Sequence, residues 1–290
     1  MMNNALKSNA SALIIEQLQA RIDSKKIEVP MLPEVAGRVI QTTQDSDSDA
    51  SDLTNLIQSD QSLAAHVMRI ANSAAYSPSC NMVSLQQAIT RLGMKGITEI
   101  ALAASISSSL FNTPGFDKHI QYVLSCSLAA GLWAKECARA CRKNVEAAFL
   151  SGLLHDIGRP VALQAVLEIA SDLGVQLSID EVHEIENTVQ RAIGIQVLEQ
   201  WEMPSSVQDV MAYFDRYQEP HKGQLQTTIV VAGSLIASHF MCNDAQDYCP
   251  SKEDILQHQV FTAINLYQNE IEQLLEREDD VKATMEAMSA

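Results

Sequence analysis

No stretch of useful length alternates apolar and polar residues, so the chain lacks the period-two pattern of a half-buried strand, and an internal repeat is equally missing. Long apolar runs are missing too. The longest, Thr227 to Met241, is interrupted by Ser234, Ser238 and His239 and is too short to span a bilayer. Near the start, Leu13-Ile14-Ile15 is cut off by Glu16 with no small-residue cleavage site behind it, so no secretory leader is expected and a cytoplasmic location is the default. The six cysteines (Cys80, Cys126, Cys137, Cys141, Cys242, Cys249) include no Cys-x-x-Cys zinc spacing and no disulfide framework, and reduced thiols are expected. Cys137 and Cys141, one helical turn apart, read as helix packing and not as a metal grip. Positive charge is scarce, with 20 Lys and Arg against 36 Asp and Glu, a formal charge of -16. That surface repels phosphate backbones and anionic lipid, which argues against direct nucleic-acid binding and against membrane association.

What remains is a 290-residue chain with 47% apolar and 19% charged residues, enough for a substantial core, and helical spacing throughout. Leu13, Ile14, Leu18 and Ile22 mark a leader helix that docks on something. Val29-Pro30-Met31-Leu32-Pro33 leads into the next helix, with Pro33 suited to its first position. Asp45-Ser46-Asp47-Ser48-Asp49 resembles a calcium loop but places Ala50 where glycine is required and Leu56 where the bidentate glutamate belongs, so it reads as a solvated loop with helix caps. Asp49 or Ser51, Asp60, Ser84, Asn144 and Ser178 are the expected caps, the last with Glu181 completing a capping box. Helices are expected to stop at Gly93, restart near Gly96 and run to Phe111. That helix-turn-helix spacing lacks the Arg and Lys a DNA reader needs. Further helices are expected over about 116–140, 144–155, 178–201, 204–214 and 224–241, with one more from Lys252. The sum is an all-α chain of about thirteen helices.

The apolar run Ala148 to Leu154 ends in His155-Asp156, a pair able to share a divalent ion through one nitrogen and the carboxylate oxygens. Around it, Met31-Leu32-Pro33, Ile57 to Leu63, Ile70 to Tyr76, Ala88 to Gly93, Phe149 to Gly158 and Trp201-Glu202-Met203-Pro204 together resemble the HDOD family, the HD-related output domain of bacterial signalling proteins. The resemblance implies a multi-helix bundle related to the HD-domain phosphohydrolase fold, usually without its activity. It suggests a leader helix at 1–26, an HDOD domain at 27–217 and C-terminal helices at 218–290 packed on that domain.

Where catalytic HD domains carry further metal ligands, the matching positions here hold Cys126, Gln190, the run Tyr213-Phe214-Asp215, and Gly233. Only His155 and Asp156 survive, with Cys126 and Asp215 as improvised ligands at most. Two ligands cannot hold a dinuclear centre, so no metal, no cofactor and no catalytic residue are expected. The pair itself reads as a hydrogen-bonded helix end near Gly158.

The resulting expectation is a non-catalytic signal-transduction module with a protein partner. The alternatives are a metal-dependent phosphohydrolase or phosphodiesterase, or a small-molecule sensor that binds a nucleotide in the degenerate cleft. Ile264, Leu266, Tyr267, Ile271, Leu274 and Leu275 form an apolar face that could meet a partner, although packing on the chain's own domain is the plainer reading.

Overall fold

In the computed structural model, which describes residues 2–44, 47–77, 82–242 and 249–289, all regular structure among the described residues is helical. The elements are α1 (Met2–Asp23), α2 (Glu34–Gln44), α3 (Ala50–Gln58), α4 (Gln61–Ala71), α5 (Leu85–Ser105), α6 (Asp117–Ala140), α7 (Val145–Leu154) and α8 (Gly158–Asp172). They continue as α9 (Ile179–Gln200), α10 (Ser205–Tyr213), α11 (Gln224–Phe240), α12 (Lys252–Gln257), α13 (Gln259–Ala263), α14 (Gln268–Leu275) and α15 (Glu278–Ser289). α5 is broken at Gly93, whose φ is 76°, and its second half stops at Ser105 instead of reaching Phe111. Cys80 and the Asp45-Ser46 part of the acidic loop lie outside the described residues.

The helices begin where side chains can take the first free backbone N–H groups. Asp49 accepts from Ser51 N at 2.7 Å and Asp52 N at 3.1 Å, Asp60 accepts from Leu63 N at 3.0 Å, and Asn144 accepts from Glu146 N and Ala147 N. At α9 the box is complete, because Ser178 Oγ accepts from Glu181 N while the Glu181 carboxylate accepts from Ser178 N at 2.8 Å. A box not anticipated, Ser251 with Asp254, opens α12.

One continuous core runs through the bundle. α6 lies against α7 and α11, and α8 lies against α9. α1 docks on α8 and α9 through Ile14, Leu18 and Ile22, all buried, and two long-range bonds fix its exit: Gln196 donates to Ile22 O at 2.6 Å and the Trp201 indole donates to Pro30 O at 2.9 Å.

Two expectations need correction. Cys242 and Cys249, expected as unrelated thiols, stand with Cα atoms 5.7 Å apart, within the reach of a disulfide. Two cysteines seven positions apart in the chain escape a search for Cys-x-x-Cys spacing. The single C-terminal helix is four short ones, and the apolar face offered to a partner is spent internally: Ile264, Leu266, Ile271, Leu274 and Leu275 are buried, leaving only Tyr267 exposed. Arg277 donates to Glu136 at 2.5 Å and Cys141 donates to Ile264 O at 3.4 Å, tying this segment to α6.

Candidate functional site

α7 ends at Leu154, so His155 and Asp156 stand in the turn that leads into α8. The turn is possible because Gly158, the first residue of α8, lies against α9: a Cβ there would sit inside the van der Waals shell of the Gln190 carbonyl. The helix expected to end at His155 ends at Leu154, and the next, expected to restart at Pro160, starts two residues earlier at Gly158, a glycine that answers to close packing. The pair faces a cleft of about 530 Å³ between α6, α8, α9 and α11, lined also by Lys118, His119, Cys126, Arg159, His183 and Ser234.

His155 is buried, and its Nδ1 donates to Gly152 O at 2.6 Å, taking one of the free carbonyls at the end of α7. Nε2 lies 3.4 Å from Ser234 Oγ, and the Phe214 ring covers the imidazole at 4.9 Å between centroids. Burial lowers its pKa, Arg191 adding to the effect and Asp156 opposing it, so the ring is neutral at pH 7.

Asp156 sits between two guanidinium groups. Arg159 Nε donates to Oδ2 at 3.2 Å, and Arg191 Nη1 lies 3.3 Å from Oδ1. Burial alone would raise this pKa, but His155, Arg159 and Arg191 outweigh it and bring it down to about 2. Arg191 also donates to His155 O at 2.5 Å and stacks on Phe214 at 4.3 Å. The carboxylate is therefore an anion neutralised by the protein's own cations.

A dinuclear HD centre does not fit these residues. A metal at Asp156 would have to displace Arg159 and Arg191, and His155 with Cys126 alone would give only a partial ligand set. Burial and the nearby Asp156 carboxylate raise the Cys126 pKa to about 11 against the opposing effects of Tyr122 and Arg159. The improvised set is also not assembled. Asp215 points to solvent, 65% exposed, with its carboxylate held by Arg191 at 3.0 Å, outside the cleft that contains Cys126, His155 and Asp156.

Gly233 packs against the Ala134 backbone, where a Cβ would collide, and it is the next residue, Ser234, that faces His155 from α11. Gln190 is buried, with its side-chain oxygen unbonded among the described residues.

A second constellation lines the cleft without a local motif in the sequence. His119 in the first turn of α6 and His183 and Glu186 on α9 bring one donor atom each within 4.8 Å of one another. His119 Nε2 and Glu186 Oε2 are hydrogen-bonded at 3.0 Å, and the two imidazoles stack at 4.6 Å. Glu186 is fully buried, with Arg159 Nη1 3.6 Å from its Oε1. Burial and the neighbouring His119 lower the His183 pKa. The legible signal was His183-Glu184-Ile185-Glu186, which puts an imidazole and a carboxylate at i and i+3 on one helix face; His119 lies 64 residues upstream, a distance no local pattern bridges.

Comparisons with known proteins give a consistent picture. Residues 29–217 match the profile of the HDOD domain. Solved structures with the same fold include a Shewanella amazonensis protein provisionally named a metal-dependent phosphohydrolase, with TM-score 0.74 and 20% identity, covering 97% of this chain and 99% of that one. An HDOD domain protein of unknown function from Geobacter sulfurreducens superposes with TM-score 0.72 and 18% identity, covering 95% and 97%. A Marinobacter aquaeolei protein provisionally named for signal transduction gives 0.67 and 23%, covering 97% of this chain and 66% of that one. An uncharacterized Treponema pallidum protein is 21% identical over 213 residues, 71% of this chain, and the chain spans 40% of that relative's length. No helix among the described residues is long and apolar enough to cross a membrane.

Proposed function

Because the chain belongs to the HDOD domain family, we propose that it is a non-catalytic regulatory module of signal transduction that passes its state to a protein partner by contact. One observation carries this reading: the Asp156 carboxylate, which an HD hydrolase needs for metal, is occupied by Arg159 and Arg191. A guanidinium group neutralises the carboxylate but cannot generate hydroxide or offer an open coordination position, and a neutral His155 under Phe214 adds no Lewis acid. With a net charge of -16, the surface suits a basic patch on the partner.

A sensor reading is favoured by a separate observation. The cleft sets Lys118, His119, Arg159 and His183 beside Asp156, an array of hydrogen-bonding groups suited to a polar ligand such as a nucleotide.

One set of measurements divides these readings. Affinity purification of the tagged chain from its native cell is expected to recover a reproducible partner, and purified protein with added manganese is expected to turn over neither cyclic nucleotides nor generic phosphate esters. Sustained turnover abolished by Asp156→Ala would establish a phosphohydrolase and sink the proposal. Stabilisation that grows with nucleotide concentration, without any recovered partner, would favour the sensor.

A further inference from the structure

The geometry points to a mononuclear site for a zinc-class divalent metal ion, formed by His119, His183 and Glu186 and separate from the His155-Asp156 pair. The inference stands whether or not the chain signals by contact. Two imidazoles and one carboxylate select zinc and neighbouring transition metals over magnesium or calcium, which prefer all-oxygen shells, and three protein ligands leave one position open.

The distances allow it. In a tetrahedron with bonds of about 2.1 Å the ligand atoms lie roughly 3.4 Å apart, and the three donors here are already within 4.8 Å, with His119 Nε2 and Glu186 Oε2 at 3.0 Å. Closing the remainder needs a modest side-chain adjustment, and His183 is free to make it: its ring nitrogens have no hydrogen-bond partner among the described residues, only the stacking contact with His119. A hydrogen-bonded His119–Glu186 pair by itself would account for two of the three residues.

Glu186 supports the same assignment. Its carboxylate is fully buried, and Oε1 has no hydrogen bond, since Arg159 approaches only to 3.6 Å. Arg159, itself anchored to Asp156 at 3.2 Å and to Asn187 Oδ1 at 2.7 Å, would act from the outer shell, holding the carboxylate so that Oε2 faces the imidazoles. His119 and His183 both line the cleft, so the open position would be within reach of water or an anion as fourth ligand. A bound ion would also tie the first turn of α6 to α9, two elements otherwise joined here by the His119–Glu186 bond.

The test uses the full chain stripped with chelator and titrated with zinc chloride by calorimetry. Wild type is expected to bind one equivalent. His183→Ala, checked for folding by circular dichroism, is expected to lose affinity on the order of 100-fold or more, beyond the cost of losing an outer-shell partner. Glu186→Gln is expected to behave likewise, whereas Cys126→Ser is expected to retain the site. Cobalt in place of zinc should give visible ligand-field bands without a thiolate charge-transfer band. The proposal is overturned if wild type binds no zinc, if folded His183→Ala binds as wild type does, if Cys126→Ser loses the site, or if cobalt reports a thiolate ligand.

Discussion

Asp156 titrates low because His155, Arg159 and Arg191 outweigh the burial that would otherwise raise it, and this makes it a source of acid sensitivity. Its folded pKa of about 2 lies below the ordinary 3.8, so the folded state binds fewer protons than the unfolded chain as pH falls. The stabilisation is complete above about pH 4 and vanishes as pH drops through 2, a difference of about 2 kcal/mol. His155 has the same sign for a different reason. A neutral buried imidazole must be protonated in the unfolded chain first, so stability falls as pH drops below about 6.5. Asp156→Asn is expected to cost about 2 kcal/mol at pH 7, since Arg159 and Arg191 each lose a charged hydrogen-bonding partner and keep only Glu186 and Asp215 as charged partners, and to flatten the limb between pH 4 and 2. Urea unfolding across pH would check both; an acid limb unchanged in the variant contradicts the assignment. The pair was legible in the sequence as His155-Asp156, but its neutralisation was not, because Arg159 is one turn away and Arg191 arrives from another helix.

At the scale of elements, the contact between α8 and α9 depends on Gly158. Adding a methyl group there drives a Cβ into the Gln190 carbonyl, which is backbone and cannot rotate away. Gly158→Ala is expected to lower stability by roughly 3 kcal/mol, the upper part of the overpacking range, seen as a lower urea midpoint. A variant within about 0.5 kcal/mol of wild type would mean the helices can separate without cost. The helix starts were readable because caps are local chemistry, and Asp49, Asp60, Asn144 and Ser178 all cap as their spacing suggested. The C-terminal helix was read as one because its apolar spacing continues across Asn265. That residue adopts φ 57°, the left-handed conformation that asparagine tolerates, and so separates α13 from α14.

For the whole molecule, α1 is part of the core. Ile14, Leu18 and Ile22 are buried against α8 and α9, and burying three such side chains contributes roughly 5–9 kcal/mol before entropy is counted. That is comparable with the total stability of a typical domain, about 5–15 kcal/mol. Removing residues 1–26 is therefore expected to give a protein that binds hydrophobic dye and unfolds at a much lower urea concentration. An unchanged midpoint would show that the leader helix is dispensable.

Period and caps are properties of neighbouring residues, so the sequence by itself determined the all-α class, most helix starts, the buried stripe of α1 and the family, whose six segments match in order. The disposition of the cleft was decided only in three dimensions. Whether Asp156 meets a metal or a guanidinium group, whether Gly233 or Ser234 faces His155, and whether His119 reaches His183 and Glu186 depend on how α6, α8, α9 and α11 pack. Electrostatic and coordination chemistry act over a few ångströms of space, and residues far apart in the chain acquire that proximity only when the core closes.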